Sequence, residues 1–200
     1  MGSTIVDRTD LFRKKLLGKT GKISEKALEM HLGLYAIHVR RAMEILSAIE
    51  EKDLPEDDRV AGSLFRANKL DLSYCLSSAK NHELYFSLLG GPGGEPQGTL
   101  RTWIHRDFGS LDRFLSDLRA TALASDSWAW TCLDQASGRL LNLLSDPRGA
   151  VPFWGGSPLL AIDMADHAFL LDFGLDREAY LDSLLGQIDW ESVASMLPLL

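Results

Sequence analysis

The chain is poor in cysteine: only Cys75 and Cys132 occur in 200 residues, and no Cys-x-x-Cys pair exists. That spacing offers no thiolate metal motif, suits a reducing compartment, and leaves both residues as small core side chains. Long apolar runs are also missing. None approaches the ~20 residues that a membrane span needs, and the N-terminus carries no apolar signal core. It is basic instead, with Arg8, Arg13, Lys14, Lys15, Lys19 and Lys22, as in an organellar leader, but Asp7 and Asp10 interrupt it. An overall basic excess is lacking too. Lys and Arg number 21 against 28 Asp and Glu, a net charge of −7. Nucleic acid and membrane surfaces are therefore not expected partners, and an anionic substrate would need a locally positive path. There is no internal repeat and no low-complexity tract. What remains, 46% hydrophobic and 24% charged residues, describes a soluble globular protein of one large or two small domains. The cytoplasm, or an organellar matrix, is the expected compartment.

Histidine is scarce as well, at five residues, and its placement is informative. Pro158-Leu159-Leu160-Ala161-Ile162 delivers Asp163 and, four residues on, His167. A carboxylate and an imidazole beside that much hydrocarbon are costly unless something compensates the charge. A metal ion would do so; a simple Asp–His hydrogen bond is the alternative. His31 and His82 lie upstream on apolar helical faces. Each alone reads equally well as a core histidine bonded to a backbone carbonyl, but together the four residues make a three-nitrogen, one-oxygen set.

The periodicity predicts a long helix over residues 24–50, capped by Ser24, with apolar positions from Ala27 to Ile49 at helical spacing. Leu54-Pro55 breaks it. Shorter helices are expected over 60–68 and 71–89, completing a helical hairpin. Gly90-Gly91-Pro92-Gly93-Gly94-Glu95-Pro96-Gln97-Gly98 then reads as a linker, dividing the chain into a hairpin domain, 1–92, and a mixed domain, 93–200. The second half predicts helices over 99–107 and 111–124, strands over 127–133, 139–144 and 159–164, and closing helices over 177–185 and 190–197. The fold class is α+β: an N-terminal helical hairpin, then a three-stranded antiparallel sheet with flanking helices.

Four segments resemble the iron/manganese superoxide dismutase family. Residues Ile23 to His31 resemble its first helix, and Asn81-His82-Glu83-Leu84-Tyr85-Phe86 its Asn-His-x-Phe-Tyr-Trp motif. Ser127-Trp128-Ala129-Trp130 resembles its Gly-Trp-x-Trp strand, and Asp163-Met164-Ala165-Asp166-His167-Ala168 its Asp-x-Trp-Glu-His-Ala signature. Gly93-Gly94-Glu95-Pro96, Arg177 with Tyr180-Leu181, and Asp189-Trp190-Glu191 also fall in family positions. The resemblance implies one iron or manganese ion per chain, with His31, His82, Asp163 and His167 as ligands. It implies dismutation of superoxide to dioxygen and hydrogen peroxide by an ion that alternates between two oxidation states.

The same resemblance marks departures. The family's glutamine near the bound solvent comes from one of two positions, here Ser78 and Arg148. The histidine four residues after the first ligand and the tyrosine eight after it are here Tyr35 and Val39. Two aromatics beside the metal become Phe86 and Ala165, whereas Trp128 is kept. His38, two helical turns beyond His31 on the same face, is expected to serve as a hydrogen-bond and proton partner in place of the missing groups, with Tyr35 beside it; a partly exposed surface histidine is the alternative. Arg177 stands at the family's funnel arginine and would attract a small anion. His105 matches no ligand position. A homodimer is expected with altered contacts, since Asp166 is one methylene shorter than the family's glutamate and the cross-subunit His–Tyr pair becomes Tyr35 and Leu170. Two rival functions stay open: a divergent metal-dependent oxidoreductase on this scaffold, and a non-enzymatic interaction or structural protein.

Overall fold

A computed structural model describes residues 5–50, 63–145 and 155–198. Among these described residues eight helices and three strands follow one another: α1 (Thr9–Leu16), α2 (Glu25–Glu50), α3 (Leu64–Leu88), α4 (Gly98–Phe108), α5 (Leu111–Ala124), β1 (Trp128–Asp134), β2 (Leu140–Leu144), β3 (Gly156–Asp163), α6 (Asp166–Phe173), α7 (Arg177–Leu185) and α8 (Trp190–Ser195). The sheet is antiparallel throughout, ordered β2-β1-β3. The class is α+β, as the patterning predicts. None of the described helices is long and apolar enough to cross a membrane.

Helix α2 starts where the sequence says it should. The Ser24 hydroxyl accepts the Ala27 N–H at 3.1 Å, satisfying one of the helix's free donors. Ala27, Leu28, His31, Leu32, Tyr35, Val39, Ala42 and Ile45 form its buried stripe. That stripe packs on α3, whose buried side includes Leu72, Cys75, Ala79, His82, Tyr85 and Phe86. The patterning predicts two separate helices in this region. The described part is one continuous helix, because Asn68-Lys69-Leu70 holds no glycine or proline to break the hydrogen-bond ladder. The expected break at Leu54-Pro55 and the start at residue 60 lie outside the described residues. Helices α1 and α6 have no counterpart among the predicted elements. Both are single eight-residue segments, too short for periodicity to announce them. Strand β3 begins three residues earlier than expected, at Gly156, and ends at Asp163.

The glycine-rich stretch is pinned to the C-terminal end of the chain. Gly91 N–H donates to the Gln187 carbonyl at 2.9 Å, Asp189 N–H to the Leu88 carbonyl at 2.8 Å, and the Trp190 indole to the Gly94 carbonyl at 2.9 Å. A side chain at Gly91 would run into the Asp189 backbone, and one at Gly93 into the Gly186 carbonyl. Gly93 also has φ +66°, which L-residues disfavour. Gly93→Ala is expected to destabilise the protein by about 2 kcal/mol or more, read from the urea midpoint.

A buried carboxylate ties α4 to β2. Asp107, 3% exposed at its side chain, accepts the Leu140 N–H at 2.8 Å and pairs with Arg106. Burial alone would raise its pKa, but the Arg106 and Leu140 hydrogen bonds together hold it below the usual carboxylate range. A depressed folded pKa gives stability that is present above the unfolded value and lost as pH falls through the folded one. The stability gap between wild type and Asp107→Asn is thus expected to be largest near neutral pH and to shrink on acidification, measured by urea unfolding at a series of pH values.

Candidate metal centre

Four elements deliver four donor groups to one point: His31 from α2, His82 from α3, Asp163 from the end of β3, and His167 from the first turn of α6. One potential donor atom from each lies within 4.8 Å of all the others. The Asp163 Oδ2 atom is 2.9 Å from His167 Nε2, 3.2 Å from His31 Nε2 and 3.8 Å from His82 Nε2. Side-chain exposures of 5%, 2% and 0% for His31, His82 and Asp163, against 37% for His167, make the cluster buried on three sides and open on one.

The local chain explains each position. Asp163 closes β3 directly opposite Trp128 of β1. Its Oδ1 accepts the Ala165 N–H at 3.0 Å, turning the chain into α6. His82 Nδ1 donates to the Ser78 carbonyl at 2.7 Å, so Nε2 carries the lone pair. That Nε2 atom is buried and has no hydrogen-bond partner. An unpartnered buried acceptor costs about 1–3 kcal/mol, and a cation among the four groups would relieve it.

Electrostatics agree. Burial pushes His82 down to about 3, and His31 is lowered for the same reason, so both rings are neutral at neutral pH. Burial would raise Asp163, but hydrogen bonds from His167 and His31 hold it ionised, well below the usual range. Burial opposes protonation of His167, whereas its bond to Asp163 favours it and wins, raising the pKa. Imidazole nitrogens and one carboxylate are the donor set that iron and manganese accept. Cys75 and Cys132 are buried, free and outside the cluster.

Aromatic rings wall the site. Phe86 and Tyr85 each lie 5.0 Å from His31, and Trp128 lies 5.0 Å from His82, between ring centroids. Beneath them runs a hydrogen-bonded chain that no sequence pattern above assigns a role. Tyr85 and Tyr180 meet hydroxyl to hydroxyl at 3.1 Å, and Tyr180 donates to the Asp163 carbonyl at 2.9 Å. Its signal lies in two tyrosines placed on otherwise apolar helix faces, which need a buried hydroxyl partner.

The other expected site residues scatter around this cluster. The His38 ring is half-buried, 5.7 Å from the His82 ring. The Tyr35 ring is 6.4 Å from His82, but its hydroxyl turns away, donating to Glu83 at 3.2 Å and accepting the Arg8 N–H at 3.1 Å. Arg177 lies across a pocket of about 480 Å³ that opens beside His167, with Asp126, Ala165, Asp166 and Phe169 around it. Its guanidinium donates to the Ser125 carbonyl and sits 5.8 Å from the Phe169 ring centre, and its Nε is buried without a partner. Ser78 is buried, Arg148 lies outside the described residues, and His105 is exposed on α4 and not part of the cluster.

Comparison with known proteins bears on this geometry. Residues 96–196 match the family model described as iron/manganese superoxide dismutases, C-terminal domain. A superoxide dismutase [Fe] of Cupriavidus metallidurans is 32% identical over 194 residues, covering 92% of this chain and 95% of the relative. The chain belongs to the iron/manganese superoxide dismutase family. A superoxide dismutase [Fe] of Aquifex aeolicus is 31% identical over 175 residues, 86% of this chain and 82% of its own length. Superoxide dismutase [Mn] 2 of Halobacterium salinarum is 34% identical over 103 residues, 52% of each chain. Family members named for either metal thus resemble this one, and its His/Asp cluster could bind such an ion.

Removing the Tyr180 hydroxyl leaves both Tyr85 and the Asp163 carbonyl short of a partner. Tyr180→Phe is expected to lower stability by about 1–2 kcal/mol, measured by urea unfolding.

Proposed function

We propose that this protein is a superoxide dismutase that works with one iron or manganese ion per chain, held by His31, His82, Asp163 and His167. One observation carries this reading: four donors from four separate elements converge within 4.8 Å, with the lone pair of His82 Nε2 buried and unanswered. When bound, the ion would supply the one-electron redox chemistry by which two superoxides and two protons become one dioxygen and one hydrogen peroxide. The chain's own residues set the conditions. Ser78 fixes the His82 tautomer, Ala165 N–H orients Asp163, and the aromatic wall excludes bulk water from three sides. Arg177 provides positive charge along the pocket beside His167, drawing a small anion through an acidic protein. Tyr35 acts by position: its ring flanks His82 while its hydroxyl anchors the segment before α1.

The proposal includes the organisation behind the site. The hairpin half, 1–92, supplies His31 and His82; the mixed half, 93–200, supplies Asp163 and His167. A homodimer with altered contacts is part of the same reading. Supporting it, Leu170 and Leu171 are about half-exposed on α6, next to Asp166 and His167.

Elemental analysis of purified protein is expected to find one iron or manganese per chain. His82→Ala should lose most of that metal and of the dismutation rate while keeping the helical circular dichroism signal. Full metal content and full activity in His82→Ala would overturn the ligand assignment. Arg177→Ala is expected to slow turnover at low ionic strength and flatten its salt dependence; a salt profile identical to wild type would show that Arg177 does not steer the anion.

A further inference from the structure

His38 stands apart from the other polar groups around the cluster. The Tyr35 hydroxyl is committed to Glu83 and Arg8, the Tyr85 and Tyr180 hydroxyls to each other and to the Asp163 carbonyl, and the Asn81 side-chain oxygen to the Trp130 indole. Nδ1 of His82 is committed to Ser78. The His38 ring makes edge and tilted contacts with two rings only, Tyr74 at 5.5 Å and His82 at 5.7 Å, and among the described residues no hydrogen bond engages either of its nitrogens. It is half-buried, and neither nitrogen is a sealed, unanswered atom of the kind found at His82 Nε2. Its nitrogens are therefore free to meet a small molecule. In either protonation state the imidazole offers at least one N–H donor. The residue reaches this place by spacing alone, because seven residues from His31 is two turns of α2.

We propose that His38 is an anion-contact residue of this site, donating a ring N–H to the small anion held at the cluster on its His82 side. The inference rests on the metal-site reading and deepens it: it names the group that recognises the charge on the substrate. Position on the helix also matters. Tyr35, one turn nearer to His31, has its hydroxyl tied to another partner, so the recognition falls to the next residue along the face that carries a free N–H.

Azide is the probe. Wild type, His38→Leu and His38→Gln are loaded with iron, their metal content is measured, and azide is titrated into the ferric proteins by its charge-transfer absorption; the midpoint potential is recorded in parallel. All three are expected to carry equal iron. A hydrogen bond to a charged group lost in His38→Leu should weaken azide roughly tenfold and shift the potential, and His38→Gln, which keeps an N–H, should restore both. Azide affinity and potential unchanged in His38→Leu would overturn the assignment and leave the ligand set standing. Iron lost from His38→Leu but kept by His38→Gln would also overturn it, since the residue would then act in holding the ion. Wild type that takes up no iron would instead overturn the metal-site reading itself. His38→Ala replaces the leucine variant if that one fails to fold.

Discussion

The arrangement depends on one carboxylate. Asp163 is fully buried at the end of β3, yet is held ionised by its hydrogen bonds with His167 and His31, whose Nε2 atoms lie 2.9 and 3.2 Å from the same oxygen. A buried charge is tolerable only when so answered. The answer comes from α6 and from α2, so the carboxylate joins two halves of the chain that are 132 residues apart at its His31 contact. Its other oxygen shapes the turn into α6, and its backbone carbonyl receives Tyr180 from α7. A single residue thus fixes a strand end, a helix start and the docking of two further helices.

The wall around it is unequal, and that inequality matters for chemistry. Trp128, Tyr85 and Phe86 close three directions with rings. The fourth, beside His167, has only the methyl of Ala165, and a pocket with Arg177 on its far side opens there. Low polarity on the closed side strengthens every electrostatic interaction within. None of the three caging rings lines that pocket.

Much of this is legible in the sequence, and the reasons differ by residue. Asp163 and His167 announce themselves because an acid inside a hydrocarbon run demands a partner. His31 and His82 do not; helical spacing places them on buried faces, but only collinear resemblance joins them to the other pair. The α2 cap at Ser24 and the bounds of α5 and α7 follow from local chemistry. Helices α1 and α6 escape because eight residues carry too little period, and α3 reads as two pieces because Asn68 is a weak helix former whose preference tertiary packing overrides. The direction of the Tyr35 hydroxyl is not legible at all, since it is decided by Glu83 and by the backbone of Arg8, partners distant in sequence.

Gly91 and Gly93 give the chain an unexpected geography for engineering. A run this rich in glycine invites treatment as a spacer, to be lengthened or swapped at will. Here its first half is a seam stitched to Gly186–Trp190 with atomic clearance, whereas Gly98, further along, meets nothing within 4 Å of where a side chain would stand. Grafts and tags therefore belong beside the exposed Gln97, with Gly98 itself kept as glycine because its φ of +60° disfavours any side chain; steric clearance, nil at Gly91 and Gly93, is ample by that end of the stretch.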